Sequence, residues 1–449
     1  MSDNLLVERT PRLGWLFDGN PDTPEIAVML QNTGDQIVLT VPTKGRTDRR
    51  NDAYFRWFRA GTRFGDDPDR TKYSYGPPRV LMFQDNEGTA VLVGCRAVGG
   101  TSNLSAGVGH IVPNFAVLGG QSLKYSKING LRSELPGLAL WSGQQSVHTA
   151  SKKDPGGRVK KVEVLLDSPP EIALSHRMNL ALRPTWRTSY PDNIGTFAAH
   201  DVVEVATTTK QPRVWEEHLE GHIAVRELLV LAAWRNFGFL HLSVNRIDDP
   251  QRVLSGDPVG PRWAEAVTHL LHKHEAWSRN PRFLFTFHDI GVRGVRRWLK
   301  LRSHFARAMQ PLVAIADQKA AFWETRMVQS GIALEALGYQ IEVDRGGKNL
   351  DKRGQLNYMD ALQIILDDMT CVPIDDPDDW KERSRDCYMG LKHPDRGLPD
   401  SLVLANTLRE NLFILRVWLA ARLGCPKATL VGRMDGDPLS KKYVLLTGS

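Results

Sequence analysis

Cysteine is scarce in this chain: there are four in 449 residues (Cys95, Cys371, Cys387 and Cys425), and none belongs to a Cys-x-x-Cys pair. That scatter leaves no disulfide framework and implies a reducing, cytosolic setting. Long apolar runs are missing as well. Leu228-Leu-Val-Leu-Ala-Ala233 is about the longest, far short of a bilayer, so no membrane association is expected. The first ten residues lack the basic–apolar–small pattern of a signal peptide. Internal repeats and low-complexity tracts are absent. So are the Walker and Gly-x-Gly-x-x-Gly spacings in a strand–turn–helix context, and any Gly-x-Ser-x-Gly elbow. The glycine-rich pieces Val98–Ser102 and Ala106–Gly109 read instead as turns between strands.

What is present is ordinary soluble-protein composition, 41% apolar and 24% charged, with a net charge of +7. The length exceeds one typical core and predicts two or three domains. The basic excess permits a nucleic-acid partner without requiring one.

Residues 1–210 read as β-rich. Short runs such as Glu25–Leu30, Gln36–Val41, Arg79–Phe83, Thr89–Gly94, Phe115–Leu118, Val159–Leu166 and Val202–Ala206 are separated by turn signals. They predict a sandwich or partly open barrel. The stretches 43–52 and 142–158 read as polar loops. Near Pro212 the period changes, and Val214 to Phe239 predicts one long amphipathic helix. It opens a linking region over 211–290 in which Phe283–Phe287 reads as a buried strand or turn. From 291 to 449 the pattern is helical, with helices at roughly 293–310, 313–340, 354–370, 378–392 and 399–423. Their apolar stripes suit an antiparallel bundle. The fold class is therefore α+β, a β-rich domain followed by an all-α one.

Three constellations carry candidate chemistry. His218-Leu-Glu-Gly-His222 sets two imidazoles at i and i+4, the spacing of many zinc sites. Leucine, however, follows the first histidine where metalloproteases carry glutamate, and no third ligand is spaced to join them. Satisfied polar positions on a helix face account for the pair, and the same holds for His269, His272 and His274; no metal or other cofactor is expected. The segment 291–310 holds Arg293, Arg296, Arg297, Lys300, Arg302 and Arg307 with no acidic residue. It reads either as a solvated helix face or as a surface for an anionic partner. Finally, Asp378 to Arg396 begins with carboxylates that suit a helix start and ends at His393-Pro394, where a helix must stop. An exposed imidazole there suits acid–base work on a phosphate, with Arg385 two turns earlier. A helix-capping histidine is the alternative.

With these elements placed, the C-terminal half resembles a HEPN domain of the ApeA-like branch. The carrying residues are Phe283–Ile290 with Trp298, Gly331-Ile-Ala-Leu-Glu-Ala-Leu337, the turn Tyr388-Met-Gly-Leu-Lys-His393, and a closing helix with Leu402, Asn411 and Leu415. The front half is similar to the ApeA N-terminal domain through Pro136–Gly143 and Trp215–Leu229. The resemblance covers nearly the whole chain in order. It implies a cytoplasmic, metal-independent endoribonuclease of bacterial anti-phage defence, acting as a homodimer and answering to a phage-derived activator. The substrate would be RNA, tRNA among the candidates. Its R-x4–6-H motif implies His393 as acid–base residue and Arg385 as phosphate stabiliser, with Asp386 and Lys392 as helpers. Arg293, Arg296, Arg297, Lys300, Arg307 and Arg396 would guide RNA. Seven residues separate Arg385 from His393, one more than the motif allows. That departure supports a rival expectation: a catalytically silent HEPN scaffold that binds RNA, a nucleotide or a phage protein.

Overall fold

The computed structural model describes residues 4–44, 53–63, 65–103, 106–190, 195–253, 255–271, 281–318 and 321–444. The chain begins with β1 (Pro11–Phe17), β2 (Ala27–Asn32), β3 (Ile37–Lys44) and a short helix α1 (Ala53–Trp57). Then come β4 (Val80–Gln84), β5 (Thr89–Val93), β6 (Arg96–Ser102), β7 (Ala106–Val112), β8 (Phe115–Leu118), β9 (Lys127–Glu134) and α2 (Leu138–Ser142). They are followed by β10 (Val147–Lys153), β11 (Val159–Leu166), β12 (Ile172–Ser175), β13 (Leu180–Ser189), β14 (Ala198–Val214) and α3 (Trp215–Ala233). Four short strands, β15 (His241–Asn245), β16 (Gln251–Arg252), β17 (Pro258–Gly260) and β18 (Trp263–Val267), lead to the helices. These are α4 (Phe287–His304), α5 (Ala306–Asp317), α6 (Trp323–Asp344), α7 (Tyr358–Asp368), α8 (Pro377–Lys392), α9 (Ser401–Leu423) and α10 (Lys427–Met434).

A β-rich half thus precedes a helical half. Among the described residues fourteen strands form one antiparallel ladder in the order β12-β13-β14-β9-β15-β18-β8-β5-β4-β1-β2-β3-β7-β6. Alternation explains the pleat: β1 buries every second residue, and its partners in β2 do likewise. The β4–β5 hairpin closes from Gln84 to Thr89 as its turn residues predict.

The glycine-rich pieces are not turns. They lie inside β6 and β7, where Gly100 faces Gly109 across the ladder. A Cβ on Gly109 would fall 2.2 Å from the Phe58 ring, so glycine is there to admit an aromatic against the strand. The presumed loop 142–158 contains β10, paired along its length with β11. The presumed loop 43–52 lies for the most part outside the described residues, as do His272 and His274.

One apolar core joins the halves. It takes Leu180 and Val205 from the sheet, Val230 from α3, Trp298 from α4 and Trp418 from α9. Indole hydrogen bonds cross the same boundary: Trp141 Nε1 donates to Phe285 O at 3.1 Å and Trp298 Nε1 to Ala224 O at 2.7 Å. Several boundaries differ from the sequence pattern, among them the expected helix over 313–340, which is interrupted: α5 ends at Asp317 and α6 starts at Trp323. Helix α3 stops at Ala233 because Trp234 turns left-handed (φ 52°), under the Arg416 guanidinium 5.3 Å from its ring. Residues 283–286 form a turn, and Phe287 opens α4 with a single turn that breaks at the non-helical Gly291 (φ 57°), so the main run of the helix starts close to the expected 293. The break between α4 and α5 falls at Phe305, not at Pro311. Pro311 sits inside α5, whose Leu312, Val313 and Ile315 are buried; the lost backbone hydrogen bond is outweighed by that packing.

The two histidines of α3 face β9 and β14. His218 Nε2 lies 3.1 Å from Ile128 O, an acceptor, so it donates there and Nδ1 accepts from Thr207 Oγ1 at 2.8 Å. Thr207 then accepts from His222 Nε2 at 3.2 Å, and His222 Nδ1 accepts from Ser133 Oγ at 2.6 Å. All four ring nitrogens are occupied, which leaves none for a metal ion. Burial pushes the His222 pKa down to about 3 and lowers that of His218. Both therefore stay neutral in the folded state while the unfolded chain takes up protons below about pH 6.5. Their contribution is fully present above that pH and is lost as pH falls toward 3. Urea denaturation between pH 8 and 5 should show stability level above pH 7, then falling by about 1.4 kcal/mol per pH unit from His222, with a further fall in the same direction from His218. A His222→Gln variant should lose the His222 part of that slope.

Candidate active site

Helix α8 begins as its sequence dictates. Asp376 caps it, accepting from Asp379 N at 3.0 Å, and Pro377 occupies the first turn where no N–H is needed. It ends at His393, whose N–H reaches Met389 O at 3.0 Å before Pro394 stops the helix.

The inward face of α8 is held by a buried polar cluster centred on Asn411 of α9, which has no exposed surface. Its Oδ1 accepts from Trp380 Nε1 at 2.9 Å and from Ser384 Oγ at 3.0 Å. Its Nδ2 donates to Ser330 Oγ of α6 at 3.2 Å. Ser384 also meets Tyr358 OH of α7 at 3.0 Å. Four helices are thereby keyed to one amide. Gly331 adds a close approach: a Cβ there would lie 2.4 Å from the Tyr388 ring, so α6 and α8 touch through an aromatic face laid on backbone. Tyr388 OH donates to Glu335 Oε2 at 3.1 Å. Burial first, and the Glu335 charge next, push the phenol up to about 12, so it remains a donor at neutral pH.

Of the two arginines on α8, Arg383 is structural. It donates to Asp379 Oδ2 at 2.6 Å, Glu410 Oε2 at 2.7 Å and Thr407 Oγ1 at 3.1 Å. Arg385 lies on the outer side and pairs with Glu382 at 2.5 Å and Asp386 at 2.8 Å. Those carboxylates are more than half exposed, so both pairs are weak and exchangeable with a stronger anion. The Asp386 hydrogen bond and charge hold the Arg385 guanidinium firmly protonated. Lys392 lies over the Tyr388 ring, Nζ 5.1 Å from its centroid. His393 and Arg396 are exposed. The end of α8 thus gathers His393 with Lys392 and Arg396, while Arg385 stands about 12 Å back along the axis and turned by roughly 80°.

Arg293, Arg296, Arg297 and Lys300 are all exposed on α4, and Arg307 is exposed on α5. Arg296 Nε donates to Leu174 O at 2.8 Å and Arg297 Nη1 to Leu423 O at 3.4 Å, anchoring α4 to β12 and to the end of α9. Arg302 pairs with Glu227, and Arg307 lies on α5 beyond the break at Phe305. Sequence reasoning missed the Tyr388–Glu335 pair. Its signal was Tyr388 five residues before His393, and Glu335 one turn after the glycine that admits the ring.

Among the described residues no helix is long and apolar enough to cross a membrane. The family model described as ApeA N-terminal domain 1 matches residues 12–300, from β1 well into α4, and the chain belongs to that family, an ApeA-like defence protein. No curated protein and no solved structure matches it.

The Asn411 cluster yields a stability contrast. Asn411→Leu leaves the buried Trp380 N–H without an acceptor and takes one hydrogen bond from each of Ser384 and Ser330, and should cost about 3 kcal/mol in urea denaturation. Arg385→Ala, on the outer side, should stay within about 0.5 kcal/mol of the parent.

Proposed function

We propose that this member of the ApeA N-terminal domain 1 family acts in anti-phage defence as a metal-independent endoribonuclease of the HEPN type. The observation that carries the reading is the exposed end of α8: an imidazole in solvent, beside the exposed cations Lys392 and Arg396, neither of which has a carboxylate partner among the described residues, on a helix whose other face is fixed by buried hydrogen bonds. His393 would take the proton from an RNA 2′-hydroxyl. The freed oxygen attacks the adjacent phosphorus, the 5′-oxygen leaves and is protonated, and a 2′,3′-cyclic phosphate remains. Charge builds on the non-bridging oxygens, where Arg385 and Lys392 would stabilise it. Asp386 would orient Arg385 and release it as phosphate arrives.

The 12 Å offset between Arg385 and His393 favours a composite site. In a homodimer through the helical half, one copy's histidine would work with the other's arginine. Exposed Arg293, Arg296, Arg297, Lys300, Arg307 and Arg396 would draw RNA in, Arg296 and Arg297 each keeping N–H groups free of the one carbonyl bond that anchors them. A phage-derived activator would then act through the β-rich half, which shares its core with the helices. The silent-scaffold reading has one observation in its favour, the engagement of both α8 arginines by carboxylates.

Growth on overexpression separates the two. Wild type should be toxic, and His393→Ala should restore growth at equal protein level, with Arg385→Ala intermediate or fully rescued. Toxicity undiminished in His393→Ala would remove the histidine from the mechanism.

A further inference from the structure

One element stands outside the packed cores. Strands β10 and β11 form a two-stranded ribbon of their own. Every residue from His148 to Lys153 and from Val159 to Leu165 is exposed, on both faces of the ribbon. Its root is fixed: Asp201 of β14 accepts from Ser146 N at 2.5 Å and from Val147 N at 2.8 Å. Its tip is fixed as well, with Asp154 Oδ1 accepting from Gly156 N at 2.9 Å and Arg158 N at 3.0 Å. The ribbon is therefore a built arm and not a loop.

Such an arm is short of stabilising contacts. A two-stranded hairpin with nothing packed behind it is marginal in water. This one also shows apolar side chains to solvent: Val159, Val162, Val164 and Leu165 are 45–62% exposed. Among the described residues no third strand pairs with β11, so its outer edge presents open N–H and C=O groups. Lysines blunt such an edge by repulsion. Here, however, Lys161 is followed two residues later by Glu163, with Val162 between them.

We propose that β11 pairs antiparallel with β11 of a second copy of this chain, joining two arms into one four-stranded sheet. Two-fold symmetry about the sheet normal requires facing residues to share a side of the pleat, so the axis passes through one self-facing residue. An axis at Lys161 sets that ammonium against itself, and an axis at Glu163 does the same to the carboxylate. Like charges directly opposite destabilise a sheet. An axis at Val162 instead faces Lys161 with Glu163 on both sides, Val159 with Leu165, and the apolar stem of Lys160 with Val164. Within one chain Lys161 Nζ lies 2.7 Å from Glu163 Oε1, and pairing would close two such ion pairs into a square of alternating charge. The contact joins chains through their β-rich halves. It is separate from any pairing of the helical halves and does not depend on the ribonuclease reading.

Disulfide crosslinking of the full chain tests it. At the proposed axis the two Val162 Cα atoms would stand about 4.5 or 5.5 Å apart, by the two kinds of antiparallel pair, and both spacings suit a disulfide. Under mild oxidation Val162→Cys should give a dimer from most of the protein, dissolved by reductant. Ser151 faces Val162 within one arm and so lies a strand further from the axis; Ser151→Cys should crosslink roughly tenfold less. Lys161→Glu or Glu163→Lys, each added to Val162→Cys, should cut the yield about tenfold, because two attractions become two repulsions. Mixing those two variants should restore it as heterodimer, since each charge then faces its opposite. All of these positions are exposed, and the urea midpoint should not move. The proposal is overturned if Val162→Cys crosslinks no more than Ser151→Cys, which would assign the arm to a different partner. A mixture that crosslinks no better than its two components overturns it as well.

Discussion

The helical half depends on one buried amide. Asn411 has no exposed surface, and its hydrogen bonds reach α8 through Trp380 and Ser384 and α6 through Ser330, with Tyr358 of α7 joined by way of Ser384. Apolar packing alone tolerates rotation of a helix about its axis, because one leucine contact replaces another. A hydrogen-bonded cluster does not, since each misplaced group is left unpaired in a low-dielectric interior. Asn411 therefore fixes which side of α8 faces outward. Arg385, Asp386, Lys392 and His393 are presented to solvent because Trp380, Ser384, Cys387 and Tyr388 are not.

A second set of buried groups ties the halves together. The Arg416–Asp437 pair is fully enclosed, and the two indole hydrogen bonds from Trp141 and Trp298 cross from one half to the other. Paired charges in an interior add little net stability compared with apolar side chains of equal volume, yet removing one partner is severe. Such contacts act as registers: the sheet, α3 and the last helices have one mutual placement. An event sensed on the β-rich half is then mechanically connected to the helix that carries His393.

Much of this was legible in the sequence, and the exceptions are instructive. Helix α8 could be placed from Pro377, its leading aspartates and Pro394, because caps and prolines act locally. The short apolar, β-branched runs of β2–β5 were equally plain. Glycines in β6 and β7 misled, since the reason for them is Phe58, distant in sequence. The break at Phe305 was hidden because Pro311 is the stronger local signal and tertiary packing overrode it. The exposed cations of α4 could be read from the sequence; the carbonyl groups that anchor Arg296 and Arg297, those of Leu174 and Leu423, lie more than a hundred residues away in the chain and no pattern announces them. His218 and His222 had metal-like spacing, and only the positions of Thr207, Ser133 and Ile128 show that every ring nitrogen is already engaged.

The central claim is that RNA chemistry takes place at the exposed end of α8 by proton transfer alone. The ends of the cleaved RNA test it most directly. Total RNA and tRNA incubated with the purified protein in EDTA, with and without lysate from phage-infected cells, should yield 2′,3′-cyclic phosphate and 5′-hydroxyl termini, and none when His393 is replaced by alanine. Fragments bearing 3′-hydroxyl and 5′-phosphate ends, or cleavage that EDTA abolishes and a divalent cation restores, would contradict it.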